Sequence, residues 1–142
     1  WPFDVHAAAT QGQRISGVDL AKGLEPFARI REAVGNRIDV MCELHSLWSA
    51  GAALRICQAL EPYDIFWAED PIGKMDDVHA LADLRRRTRV PICASETLGG
   101  AVNFRDVLVA DATDIVMLDL AWCGGPQDRR PGRSLGPAAR AP

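Results

Sequence analysis

Three glutamates, Glu43 in MCELHS, Glu69 in FWAEDP and Glu96 in CASETL, each close a short apolar stretch, 26 and then 27 residues apart. That interval is the length of one strand-helix unit, so the pattern puts three carboxylates at the same end of three successive parallel strands. Oxygen donors converging from separate strand ends suit a hard dication, Mg²⁺ or Mn²⁺. Such an ion takes a few carboxylates and keeps its other positions for water or substrate oxygens. A lone glutamate after a strand is commonly a cap or a solvated loop residue; three in register point to metal. His45 lies two residues beyond Glu43, so on an extended strand end it faces the same side. Substrate contact and an ordinary loop hydrogen bond both fit it. Asp70, between Glu69 and Pro71, reads as a residue that fixes the turn or bonds to a ligand group rather than to the ion.

The elements that must position these groups alternate along the chain. Leu24, Phe27, Ile30 and Val34 recur at helical spacing, predicting a helix over 19–34 that Gly35 stops and that tolerates Pro26 only near its first turn. Residues 38–43 read as a strand buried on both faces, followed by a loop at His45, Ser46 and Trp48. A helix over 50–61, a strand over 64–68, a helix opened by Asp76 or Asp77, a strand over 90–95, a helix over 102–109 and a strand over 114–118 complete the series. The last strand leads into Asp119 and the loop Ala121-Trp122-Cys123-Gly124-Gly125. Successive βα units of near-constant period argue for an α/β fold with a parallel sheet.

Such units build either a doubly wound sheet or a (β/α)₈ barrel, and both place their sites at the strand C-terminal ends. Neither G-x-G-x-x-G nor G-x-x-x-x-G-K-[ST] follows any strand, which lowers the nucleotide-binding version. Converging carboxylates from adjacent strands need a common axis, which favours the barrel. A whole barrel takes about 250 residues, so the 142 residues here are expected to supply a partial (β/α)₈ TIM barrel of about four to five βα units over 1–125. Residues 126–142 hold four Pro, four Arg, three Ala and two Gly among 17, with no helical stripe. That composition is expected of a frameshifted reading of GC-rich sequence, or of a natural disordered basic tail.

With 48% apolar and 25% charged residues, the chain reads as one globular unit. A net charge of -3, from 16 Lys+Arg against 19 Asp+Glu, offers no general attraction to nucleic acid or anionic membrane, and neither partner is expected. The four cysteines are scattered without a C-x-x-C pair, so they read as buried small hydrophobes of a reduced, cytoplasmic protein. The two lysines, Lys22 and Lys74, fall on a helix and in a loop, so a Schiff-base aldolase lacks its strand-end amine.

In its order and separation of MCELHSLW, WAEDPI, ASETLGG and MLDLAWCGG, residues 1–125 resemble the enolase superfamily, within it the mandelate racemase and muconate-lactonizing group. The resemblance implies Glu43, Glu69 and Glu96 as Mg²⁺ ligands, His45 as a group for acid catalysis or substrate binding, and Asp119 as the carboxylate that holds a histidine base. It implies a small hydroxy-acid or acid-sugar carboxylate as substrate, whose α-proton is removed by a Lys or His base beside the cation. Dehydration of an acid sugar is the first expectation and racemisation the second. The family's Lys would stand just before Trp1, its capping domain earlier still, and its His beyond residue 126, where no histidine occurs. Negligible catalysis from this polypeptide alone is therefore expected. A contrasting expectation is an inactive half-barrel that keeps weak metal affinity and self-associates as a homo-oligomer through open strand edges.

Overall fold

The computed structural model describes residues 2–123. The composition change at 126–142 lies outside them. Three helices are capped by a side chain next to them in sequence. The hydroxyl of Ser16 accepts the Asp19 N–H at 3.0 Å and donates to the Asp19 carboxylate at 2.7 Å, opening α2 (Gly17–Val34), which Gly35 closes at φ +59°. Ser49 caps α3 (Ala50–Leu60), and the Asp77 carboxylate caps α4 (Val78–Arg86) by accepting the Ala80 N–H at 3.1 Å. Arg85 and Arg86 sit in the last turn of α4, where cations favour the helix dipole. The remaining long helix is α5 (Ala101–Val109), and a short α1 (Asp4–Ala7) precedes them all.

The strands are β1 (Cys42–Glu43), β2 (Ala68–Glu69), β3 (Ile92–Ala94) and β4 (Ile115–Val116), all parallel and in the spatial order β1-β2-β3-β4. Each new strand adds beside the one before it. A doubly wound sheet reverses its order at a switch point, whereas sequential addition around an axis is how a barrel grows. The α/β, parallel-stranded reading therefore stands, and the barrel-type order decides between the two architectures. The register pairs Cys42 with Ala68 and Glu43 with Glu69, then Glu69 with Cys93 and Ala94 with Val116.

Two expectations are corrected. The segment 38–43 is not buried on both faces, because Ile38 is 52% and Met41 48% exposed and only Cys42–Glu43 form regular strand. The helix α2 runs through Pro26 instead of confining it to the first turn. A proline there forfeits one N–H bond and crowds the preceding turn. What holds the helix regardless is tertiary: Phe27 is buried and stacks on Phe3 at 6.2 Å, and Gly23 lets the Phe3 ring approach where a Cβ would lie 2.3 Å from it. Arg31 adds a fork at the other end, donating to the carbonyls of Tyr63 and Asp64 at 2.7 Å each and of Ile38 at 2.8 Å.

The core lies between the sheet and the helices. It includes Leu44, Ile56, Leu60, Leu81, Leu84, Ile92 and Val107, all at most 2% exposed. The four cysteines are buried and unbridged, as small hydrophobes in the core. No helix among the described residues is long and apolar enough to cross a membrane.

Candidate metal centre

Parallel register carries the acidic groups to one end of the sheet. Glu43 and Glu69 are the last residues of β1 and β2 and stand opposite each other, while Glu96 follows β3 by two residues. Beyond Glu43 the chain turns sharply through two left-handed residues, His45 at φ +51° and Ser46 at φ +54°. That conformation is uncommon for residues other than glycine. Here the His45 N–H donates to the Glu43 carboxylate at 2.6 Å and the Ser46 N–H to the Asp70 carbonyl at 2.8 Å.

One donor atom each from Glu43, His45 and Glu96 lie within 4.8 Å of one another. This is a group of metal-ligating chemistry, two carboxylates and an imidazole, at the place where strand-end carboxylates were expected. Glu69 stands beside it, close enough to Glu43 for their carboxyl groups to share a hydrogen bond. Its oxygens already accept from the Ser95 hydroxyl at 2.6 Å and the Trp67 indole N–H at 3.1 Å.

Asp70 builds the floor. It is fully buried at φ +41°, and its carboxylate accepts from the Ser95 N–H at 2.7 Å, the Thr97 N–H at 3.1 Å and the Thr97 hydroxyl at 2.8 Å. It thus ties the end of β2 to the loop that carries Glu96. The Ser46 hydroxyl donates to Thr97 at 3.0 Å, extending the network to the loop after β1. Burial pushes the Asp70 carboxyl above its ordinary range, against those hydrogen bonds.

Asp119 is placed differently. It follows β4 by three residues, is exposed, and accepts from the N–H groups of Ala121 at 2.8 Å and Trp122 at 3.1 Å. It lines an open groove with Glu96, Thr97 and Trp122 but is not among the three clustered donors. A residue that sequence reasoning passed over is Asp4, whose Oδ2 is 2.6 Å from His45 Nδ1. Nothing local marks it, since its partner is 41 residues away.

Across residues 5–131 the sequence matches the profile of the enolase C-terminal domain-like family. The chain belongs to that family. An enolase protein from environmental shotgun sequencing of the Sargasso Sea superposes with a TM-score of 0.88 at 58% identity, covering 92% of this chain and 35% of that one. The D-xylonate dehydratase of Haloferax volcanii is 30% identical over 88% of this chain and 30% of its own length. The N-succinyl-L-Arg/Lys racemase of Bacillus cereus is 29% identical over 77% of this chain and 30% of its own. The chain thus spans about a third of the length of these relatives.

The electrostatics of this enolase-type barrel segment suit a dication. Burial raises the Glu43 carboxyl, the His45 N–H opposes it, and the charge and hydrogen bond of Glu69 raise it further, from 4.5 to about 7. Two carboxylates in contact cannot both ionise cheaply, and a cation between them removes that penalty. A carboxyl raised on folding favours the native state while it is protonated. Its contribution is full below pH 4.5 and is lost as pH climbs through about 7. A dication must displace that proton, so its affinity is expected to rise between about pH 6 and pH 8 and then level off. Calorimetry in two buffers of different ionisation enthalpy reads the released proton; an affinity flat across that range would remove Glu43 from the ligand set. For His45, partial burial draws the imidazole down, but the Asp4 hydrogen bond and the charges of Glu43, Asp4 and Glu96 outweigh it and leave it raised.

Proposed function

We propose that this chain is the metal-holding part of a Mg²⁺-dependent enzyme that removes the α-proton of a hydroxy-acid carboxylate and dehydrates an acid sugar. The observation that carries the reading is the alignment of Glu43 with Glu69 across β1 and β2, with Glu96 clustered beside Glu43. Glu43, Glu69 and Glu96 would hold the ion. The chemistry supplied by a bound Mg²⁺ is positive charge beside the substrate carboxylate, which acidifies the α-proton.

The residues of the chain do the rest. Glu43 gives up its proton when the ion binds, and Asp70 keeps the Glu96 loop at the required distance through Ser95 and Thr97. In this reading His45 is the proton donor for the leaving hydroxyl group. Asp119 takes the part of orienting the base in this reading. The likeness to a D-xylonate dehydratase supports an acid-sugar substrate, and the likeness to a racemase supports the shared α-proton step.

Because the chain spans about a third of these relatives, binding is the direct test. Sodium gluconate titrated calorimetrically into the chain is expected to bind with saturating Mg²⁺ and not without it. Tighter Mg²⁺-dependent binding of an N-succinyl amino acid would move the reading to the racemase. The same heat with and without the ion, or none in either case, would sink it.

A further inference from the structure

We propose that Asp4 is the positioning residue for His45: it fixes the imidazole in the Nδ1–H tautomer and so makes Nε2 the atom that works at the carboxylate cluster. Two observations carry this beyond a simple contact. His45 is held at both ends, its backbone N–H by Glu43 at 2.6 Å and its Nδ1 by Asp4 Oδ2 at 2.6 Å, with its backbone at φ +51°. Asp4 Oδ1 is buried without a hydrogen-bond partner among the described residues. The bonded oxygen of Asp4 is thus the one that faces His45.

A carboxylate can only accept when ionised, so the shared proton of this pair sits on Nδ1. The ring is then defined: Nδ1 is committed to Asp4, and Nε2 carries a proton in the imidazolium and a lone pair in the neutral ring. In a dehydration the C–O bond breaks with its electron pair going to oxygen, and the proton on Nε2 completes the departing water. The ring is left neutral with Nδ1–H still on Asp4, as an orienting carboxylate requires. This use of Nε2 rests on the dehydratase reading; the tautomer does not.

The test uses the intact chain labelled with ¹⁵N-histidine. Three histidines give few signals, and a His45→Gln variant assigns the one that matters. At alkaline pH, where the ring is neutral, His45 is expected as the Nδ1–H tautomer in the wild type. Asp4→Leu keeps much of the volume but removes the acceptor, so the neutral ring should lose its single Nδ1–H tautomer and shift toward Nε2–H. Asp4→Glu, which restores a carboxylate acceptor, should return the ring toward Nδ1–H, whereas a merely structural tie predicts no change of tautomer in either variant. The proposal is overturned by an Nε2–H or mixed tautomer in the wild type, which needs no variant to be folded. It is equally overturned by an unchanged tautomer in folded Asp4→Leu. Failure of gluconate to bind with Mg²⁺ leaves these readouts intact and counts only against the dehydratase reading.

Discussion

Replacing Glu43 with Gln is expected to weaken Mg²⁺ binding by at least about 100-fold, as measured by calorimetry on chains with matched urea midpoints. Substitutions of groups that merely support a ligand already cost 10–100-fold in metal affinity, so loss of a ligand sets a floor near the upper figure. The amide keeps the volume of the carboxylate and still accepts the His45 N–H, which separates loss of charge from loss of structure. It also removes the contact between two carboxyl groups that raises Glu43 to about 7. Mg²⁺ affinity unchanged by this substitution would end the metal assignment. Glu69→Gln is the companion. If Glu69 is a ligand, its variant loses binding as well. If it keeps binding, the ion is held by Glu43, His45 and Glu96 alone, and the nitrogen donor should turn preference from Mg²⁺ toward later first-row metals.

The second large effect is on stability. Asp70→Ala is expected to cost about 3 kcal/mol in urea denaturation, because it strips acceptors from two backbone N–H groups and one hydroxyl at a fully buried position. Asp70→Asn should cost about half as much, since its amide oxygen can replace one side of the carboxylate while its N–H₂ confronts the Thr97 N–H. A loss below about 1 kcal/mol for the alanine variant would mean that water replaces the carboxylate and that the network is not structural. Both variants free the Glu96 loop from β2, so Mg²⁺ affinity is expected to fall with stability in each.

Much of the fold was legible because its signals are local. Apolar residues at helical spacing, with Asp76 or Asp77 before one run, gave the four longer helices to within a few residues, and short apolar runs gave all four strands. Strand lengths were not legible. A strand ends where its neighbour stops pairing, and that is a property of two segments at once, as Ile38 and Met41 show by being exposed within an apolar run. Pro26 marks the same limit: the local rule argued against a helix interior, and the Phe3–Phe27 contact from another segment overrode it.

For the site, the sequence by itself determined that Glu43, Glu69 and Glu96 would gather at one end, because spacing by whole strand-helix units fixes which end of a parallel sheet a residue reaches. Only the tertiary structure decided what each carboxylate does there. Register set Glu43 against Glu69, burial and that contact raised one of them, and folding brought Asp4 to His45 and Asp70 to Ser95 and Thr97. The physical reason is that periodicity encodes direction along the chain, whereas hydrogen bonds between residues 25 to 41 positions apart depend on distances that exist only after the units have packed.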